Sequence, residues 1–248
     1  MENNELLRRA EDLRERCERS GTVTHTGFLT PAERYAIEQW AKHAPDCRCV
    51  FDGGGDDCER TVCFFLPEYL EAEYFDASEY LCAIRLTAHF GTPGHRDYMG
   101  ALLAMGIGRE WLGDIRVTEN IAYIFCQSSV LRHLLSIEKV GRCGVTAEEL
   151  PLASVLAPER KMQQKSFSVQ SMRLDAIVGG MFKLSRTEAA RQISAGNVSI
   201  NYQVSLRTDF GVKEGDILSL KGAGKGTVTG TGGTSRKGRL FVYAEIYI

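Results

Sequence analysis

No segment of this 248-residue chain is long and apolar enough to span a bilayer, since a membrane helix needs about 20 apolar residues in succession. The first residues, Met1-Glu2-Asn3-Asn4-Glu5, are acidic and polar, which does not suit a secretory signal. The expected location is the cytoplasm, where the eight cysteines remain thiols. Paired C-x2-C knuckles are missing too. Cys47, Cys49, Cys58 and Cys63 are spaced C-x-C, eight residues, C-x4-C, with no histidine among them; small buried hydrophobes are expected there, and no metal. The five histidines (His25, His43, His89, His95, His133) are dispersed, and none stands beside a convincing nucleophile.

Catalytic signatures are incomplete wherever they begin. His95-Arg96-Asp97 has the letters of a kinase catalytic loop, but no glycine-rich phosphate loop precedes it, no Asp-Phe-Gly follows, and no Asn stands at the required offset. Asp97 suits the first turn of a helix, where a carboxylate favours the positive end. Asp52-Gly53-Gly54-Gly55-Asp56-Asp57 follows a short strand and resembles a methyl-donor loop. Yet Glu59-Arg60-Thr61-Val62-Cys63 then reads as a strand, whereas a cofactor-cradling loop should open a helix. A hairpin turn with glycines at positive φ is expected, and no cofactor.

Charge is present in both signs but unevenly placed. From Gln164 to the end there are twelve Lys and Arg against six Asp and Glu, whereas the preceding residues hold eighteen against twenty-six. A basic C-terminal third on an acidic body fits one nucleic-acid face.

The pattern divides the chain into three parts and gives an α+β fold. Residues 1–79 read as a small α/β domain: a charged helix from Glu5 to Arg19, a second from the capping box Thr30-Pro31-Ala32-Glu33 to about His43, and strands at Cys49-Val50-Phe51 and Thr61–Phe65. Residues 80–163 read as β-α-β-β-α-β: strand Leu81–Thr87, helix His95–Met105, a hairpin of Asp114–Thr118 and Ile121–Phe125, helix Ser128–Leu135, strand Lys139–Val145. That is the ferredoxin-like, RRM-like order. His95, Arg96 and Arg109 are candidate secondary RNA contacts within it.

Residues 164–248 are the most informative. Leu174, Ile177 and Val178 have the spacing of a buried helix face. Ser185-Arg186-Thr187-Glu188 is a capping box opening a second helix, with Ala189, Ala190 and Ile193 inward and Gly196 placed to end it. Val198-Ser199-Ile200 and Ile217–Leu220 read as strands. The segment Arg173–Lys221 resembles the S4 RNA-binding domain, with its αL motif. The resemblance implies that Arg173, Lys183, Ser185, Arg186, Arg191, Gln192 and Asn197 lie on or near the RNA face; Thr187 and Asn201 stand at the same joints. Arg191 also has Glu188 at i−3 as a possible ion partner. Beyond the S4 pattern, Lys221, Lys225, Arg236, Lys237 and Arg239 punctuate a glycine-rich stretch suited to phosphate, followed by an alternating strand from Leu240 to Ile248.

Asp52-Gly53-Gly54 with Glu59-Arg60, then His95-Arg96-Asp97-Tyr98 and Gly113-Asp114-Ile115, then an S4 domain, together resemble the bacterial YlmH family. The resemblance implies a non-enzymatic protein that binds rRNA and tRNA on the large ribosomal subunit and acts in quality control of stalled nascent chains. It implies a monomer with no membrane or DNA partner. Two other readings stand beside it. One is an RNA-modifying enzyme, of the methyltransferase or pseudouridine synthase class; the other is an adaptor tethered by its S4 domain.

Overall fold

The computed structural model describes residues 2–44, 46–155, 162–234 and 238–247. The chain forms two compact units, Met1–Pro158 and Glu159–Ile248. Among the described residues, no helix is long and apolar enough to cross a membrane.

The first unit opens with α1 (Glu2–Ser20), β1 (Thr24–Leu29) and α2 (Pro31–Ala41), followed by β2 (Cys49–Asp52) and β3 (Thr61–Phe65). Thr30 and Glu33 close the capping box of α2: the Thr30 N–H donates to Glu33 Oε2 at 2.7 Å and the Glu33 N–H to Thr30 Oγ1 at 3.3 Å. The strands form an antiparallel sheet in the order β1-β3-β2. Strand β3 is buried along its whole length, because its two faces serve different cores. Cys63 and Phe65 meet Ala10, Cys17 and Ile37 of the two helices. Val62 and Phe64 meet Phe28, Leu81, Ala83 and Phe125. Strand β1 has no sequence expectation behind it. Its Thr-His-Thr-Gly-Phe-Leu lacks clean alternation, and its pairing with β3 is irregular between His25 and Phe28.

Next come β4 (Leu81–Ala88), α3 (His95–Ala104), β5 (Leu112–Thr118), β6 (Ile121–Gln127), α4 (Leu131–Leu134), β7 (Lys139–Val140) and β8 (Cys143–Leu150). The sheet order is β5-β6-β4-β8-β7, all antiparallel, so the first strand lies between the third and the last as in a ferredoxin-like sheet. Two expectations shift here. The expected strand Lys139–Val145 is broken at Gly141 (φ 58°) into the short hairpin of β7 and β8, and β8 continues to Leu150. The expected helix from Ser128 begins as a 3-10 turn, with α-helix only from Leu131. Tyr98, Leu102, Ile84, Leu86 and Ile124 are fully buried beneath the helices, at about 1.5–3 kcal/mol per side chain removed from water.

The second unit contains β9 (Met162–Val169), α5 (Leu174–Phe182), α6 (Arg186–Ser194), β10 (Val198–Ile200), β11 (Gln203–Val204), β12 (Ile217–Leu220), β13 (Gly224–Thr234) and β14 (Leu240–Tyr247). These strands make one six-stranded antiparallel sheet in the order β11-β10-β12-β13-β14-β9. Helices α5 and α6 cover one face through Leu174, Ile177, Val178, Met181, Ala189 and Ile193. The glycine-rich stretch after Lys221 is therefore mostly strand, and β9, unexpected from the sequence, closes the sheet on β14. Gly180 permits this packing: a Cβ there would lie 2.1 Å from the Phe167 ring.

Candidate nucleic-acid interface

Helix α5 starts where its first N–H groups find acceptors in the loop before β12: Leu174 N donates to Phe210 O at 2.8 Å and Asp175 N to Thr208 O at 3.0 Å. This places the Asp175 side chain, 6 % exposed, between two arginines. Arg173 Nε and Nη2 donate to its two carboxylate oxygens at 3.2 and 3.1 Å, and Arg186 Nε donates to Oδ2 at 3.2 Å. Burial alone would raise the carboxyl pKa, but the bonds from Arg173 and Arg186 outweigh it and hold the group below its ordinary value. The two guanidiniums remain 38 % and 59 % exposed. They are oriented from beneath and presented outward, the form in which arginine recognises phosphate.

Ser185 caps α6 by accepting from Glu188 N at 3.1 Å. The expected return bond of the capping box is absent among the described contacts. Glu188 instead takes Arg191 Nε and Nη2 at 2.9 and 2.7 Å and Gln192 Nε2 at 2.8 Å. Those bonds hold its carboxyl well below the usual range, at about 2. Arg191 is thus both exposed and paired with Glu188, so its charge is partly offset in place. Gln192 Oε1 then accepts from Asn197 Nδ2 at 2.8 Å. The helix ends in a Schellman arrangement, with Gly196 (φ 74°) N donating to Ile193 O and Asn197 N to Gln192 O.

Lys183, exposed, adopts the left-handed region (φ 57°) that ends α5. Lys165, which the sequence did not single out, donates to Met181 O at 2.7 Å beside it. Burial and then the charge of Lys183 push the Lys165 pKa down. Arg239, also exposed, donates to Ser168 O at 2.6 Å. Arg186, Asp175, Gly179, Gly180, Ser168 and Arg239 share one cleft of about 530 Å³. The structure thus brings Arg173, Arg186 and Arg239 together, with Lys183 and Ser185 at the α5–α6 turn and Thr187 exposed in the first turn of α6. Arg191, Gln192 and Asn197 form a separate group farther along α6, Arg191 lying about 140° around the helix from Arg186.

Other candidates are placed elsewhere. Asn201 (φ 47°) and Tyr202 (φ 67°) make the turn from β10 to β11. Asn201 donates to Asp216 Oδ1 at 2.9 Å and accepts from Ile217 N at 3.0 Å, a tie within the fold. Lys221 is exposed after β12, and Lys225 lies 5.1 Å above the Tyr247 ring on β13. Arg236 and Lys237 lie outside the described residues.

In the first unit, His95 and Arg96 are exposed in the first turn of α3, and Arg109 Nη1 reaches Met99 Sδ at 2.7 Å, within about one turn of both. Asp97 accepts from Gly94 N at 2.8 Å and serves as the cap of α3. The Asp52 loop joins two antiparallel strands. Asp52 Oδ1 accepts from Gly54 N at 2.6 Å, and Cβ atoms at Gly54 or Gly55 would fall 2.9 Å from the Phe125 ring. Glu59 N and Arg60 N donate to the Asp114 carboxylate at 2.8 and 3.0 Å, and Arg60 spans the carbonyls of Phe28, Arg109 and Leu112. The loop is a hairpin turn clamped to β5 and β6, with Gly54 and Gly55 packed against the Phe125 ring. Of the four clustered cysteines, Cys47, Cys49 and Cys63 line the helix-side core, while Cys58 packs in the other. Its thiol is pushed up to about 12, chiefly by burial. No group of metal-ligating side chains occurs among the described residues.

Residues 172–218 match the S4 domain, and residues 72–154 match the putative RNA-binding domain in YlmH. Over these two segments the chain is similar to the YlmH RNA-binding domain and to S4 domains. Consistent with that, it is 28 % identical over 221 residues to ribosome-associated protein quality control protein P2 of Bacillus subtilis (strain 168), across 89 % of this chain and 86 % of the relative. The fold is similar to cell division protein ylmH from Streptococcus pneumoniae, with a TM-score of 0.53 and 21 % identity over 63 % of this chain and 96 % of that one. The residues around Asp52, Arg60 and Asp114 hold the first unit together, whereas Arg96 and Arg109 are among the charged groups it presents outward.

Proposed function

We propose that this chain is a non-catalytic RNA-binding factor that holds rRNA and tRNA on the large ribosomal subunit during quality control of stalled nascent chains. The observation that carries the proposal is the pair Arg173 and Arg186, aimed outward by the buried Asp175 within the segment that matches the S4 domain. Arg239, Lys183 and Ser185 extend that face, and the excess of twelve cations over six anions from Gln164 onward supplies the attraction to phosphate. The name of the Bacillus subtilis relative supports the ribosomal setting. The protein acts as a cytoplasmic monomer in this reading, and His95, Arg96 and Arg109 supply a secondary contact.

Crosslinking of RNA to the protein in cells, mapped to nucleotides, tests it. Crosslinks concentrated in large-subunit rRNA and tRNA are expected; crosslinks confined to other RNAs would overturn the ribosomal assignment. The methyltransferase alternative is tested by calorimetry with S-adenosylmethionine. No binding is expected, because the Asp52 loop is closed over Phe125; tight binding abolished by Asp52→Ala would replace the binding-factor reading with an enzyme.

A further inference from the structure

Strand β14 is buried on one side only. Val242, Ala244 and Ile246 enter the core, while the alternate residues Phe241 and Tyr243 are 40 % and 45 % exposed on the sheet face away from α5 and α6. Single exposed aromatics are ordinary, but the neighbours of these two are not. On β9 they are flanked by Ser168 and Ser166, and on β13 Tyr243 stands opposite Gly230. A Cβ at Gly232 would lie 2.8 Å from Tyr243 Oη and 3.3 Å from Phe241 Cβ, and one at Gly230 would lie 4.0 Å from Tyr243 Cδ2. The tyrosine ring therefore lies along the bare backbone from Gly230 to Gly232. Glycine within a strand weakens it; here the absence of side chains lets an aromatic ring lie along the backbone and stay 45 % exposed.

A cation stands at one end of this row: Lys225 sits over Tyr247 on the same face, while Arg239, before β14, lines the cleft beside α5 and α6. Two carboxylates lie along the row: Glu245, bonded to Gln164, and Glu214, whose carboxylate comes within 3.9 Å of a Cβ built at Gly230. Aromatic rings open on a sheet, with a cation at one end and in a segment of net positive charge, are the elements of a sequence-tolerant platform for unpaired bases. Successive outward residues are about 7 Å apart along the strand, which suits bases that are splayed and not stacked on one another.

We propose that the open face of β9, β14 and β13 is a second RNA surface, on which Phe241 and Tyr243 stack the bases of a single-stranded segment. It rests on the RNA-binding reading above but uses a different face of the same unit. The net positive charge of the unit and Lys225 beside Tyr247 favour RNA over an apolar protein segment as the occupant.

The test uses the full chain and an unstructured, fluorescein-labelled RNA of about 12 nucleotides, read by anisotropy across a salt series. Phe241→Ala and Tyr243→Ala should each weaken binding on the order of tenfold and leave the salt slope unchanged, because no phosphate contact is lost. Tyr243→Trp should bind as the original does, with fluorescence quenched by RNA against the background of Trp40 and Trp111. Undiminished binding by both folded alanine variants, or no quenching, overturns the proposal. If Arg186→Ala weakens binding while the two ring variants do not, RNA binding stands and the platform falls; if the unsubstituted chain binds no RNA, both fall. Should an alanine variant fail to fold, the quenching of Tyr243→Trp decides.

Discussion

Replacing Arg186 by alanine isolates the face built on Asp175. Its side chain is 59 % exposed and contributes one N–H···O contact of 3.2 Å to a carboxylate that keeps both bonds from Arg173. Screening by solvent limits the stability cost to below about 1 kcal/mol, so the variant should fold. The effect on RNA is larger and has a distinct form. Each phosphate contact adds roughly 0.9 to the slope of log K against log salt on a duplex and roughly 0.7 on a single strand. Over a fourfold change, from about 50 to about 200 mM salt, losing one contact makes the defect about 2.5- to 3.5-fold smaller at the higher salt. Anisotropy titrations at several salt concentrations, with circular dichroism as the folding control, measure this directly. A defect that stays constant with salt would refute the placement of Arg186 on phosphate.

Glu188→Gln should release Arg191 from its bidentate partner, tightening RNA binding and steepening the salt slope by up to about 0.9; an unchanged slope would show that Arg191 faces no phosphate. Gly180→Ala should destabilise the second unit by about 1–3 kcal/mol, since its methyl meets the Phe167 ring at 2.1 Å, and chemical denaturation should show the loss there. Because the Asp175 pKa is depressed in the folded chain, its contribution to stability is present above about pH 3.9, the unfolded value, and fades as pH falls through the folded value. Thermal melts should therefore fall less steeply with acid in Asp175→Asn than in the unsubstituted chain; parallel curves would sink the argument.

The two S4 helices were legible because their signals are local. Leu174, Ile177 and Val178 share one stripe, Ser185 caps from three residues away, and Gly196 ends the second helix by its own left-handed φ. The middle sheet was legible for a similar reason, its strands and helices alternating with clear turns. What escaped were elements whose identity depends on a distant partner. Strand β1 exists because β3 offers it an edge, and β9 because β14 does; neither carries a strong period of its own. The capping box at Ser185 has the right letters, yet Glu188 found a better partner in Arg191, a competition between two local rules that only the folded structure resolves.

The sequence by itself determined an acidic body and a basic S4 segment. Those are matters of composition and short-range spacing. Only the tertiary structure decided which cations lie together. Asp175 selects Arg173 and Arg186, since a buried carboxylate is stabilised only when charged donors reach it. Asn201 is drawn into its own turn, and Gly230 and Gly232 acquire a purpose when β14 lays Tyr243 across them. Each of these depends on groups brought together by pairing and packing across the fold, which no spacing along the chain records.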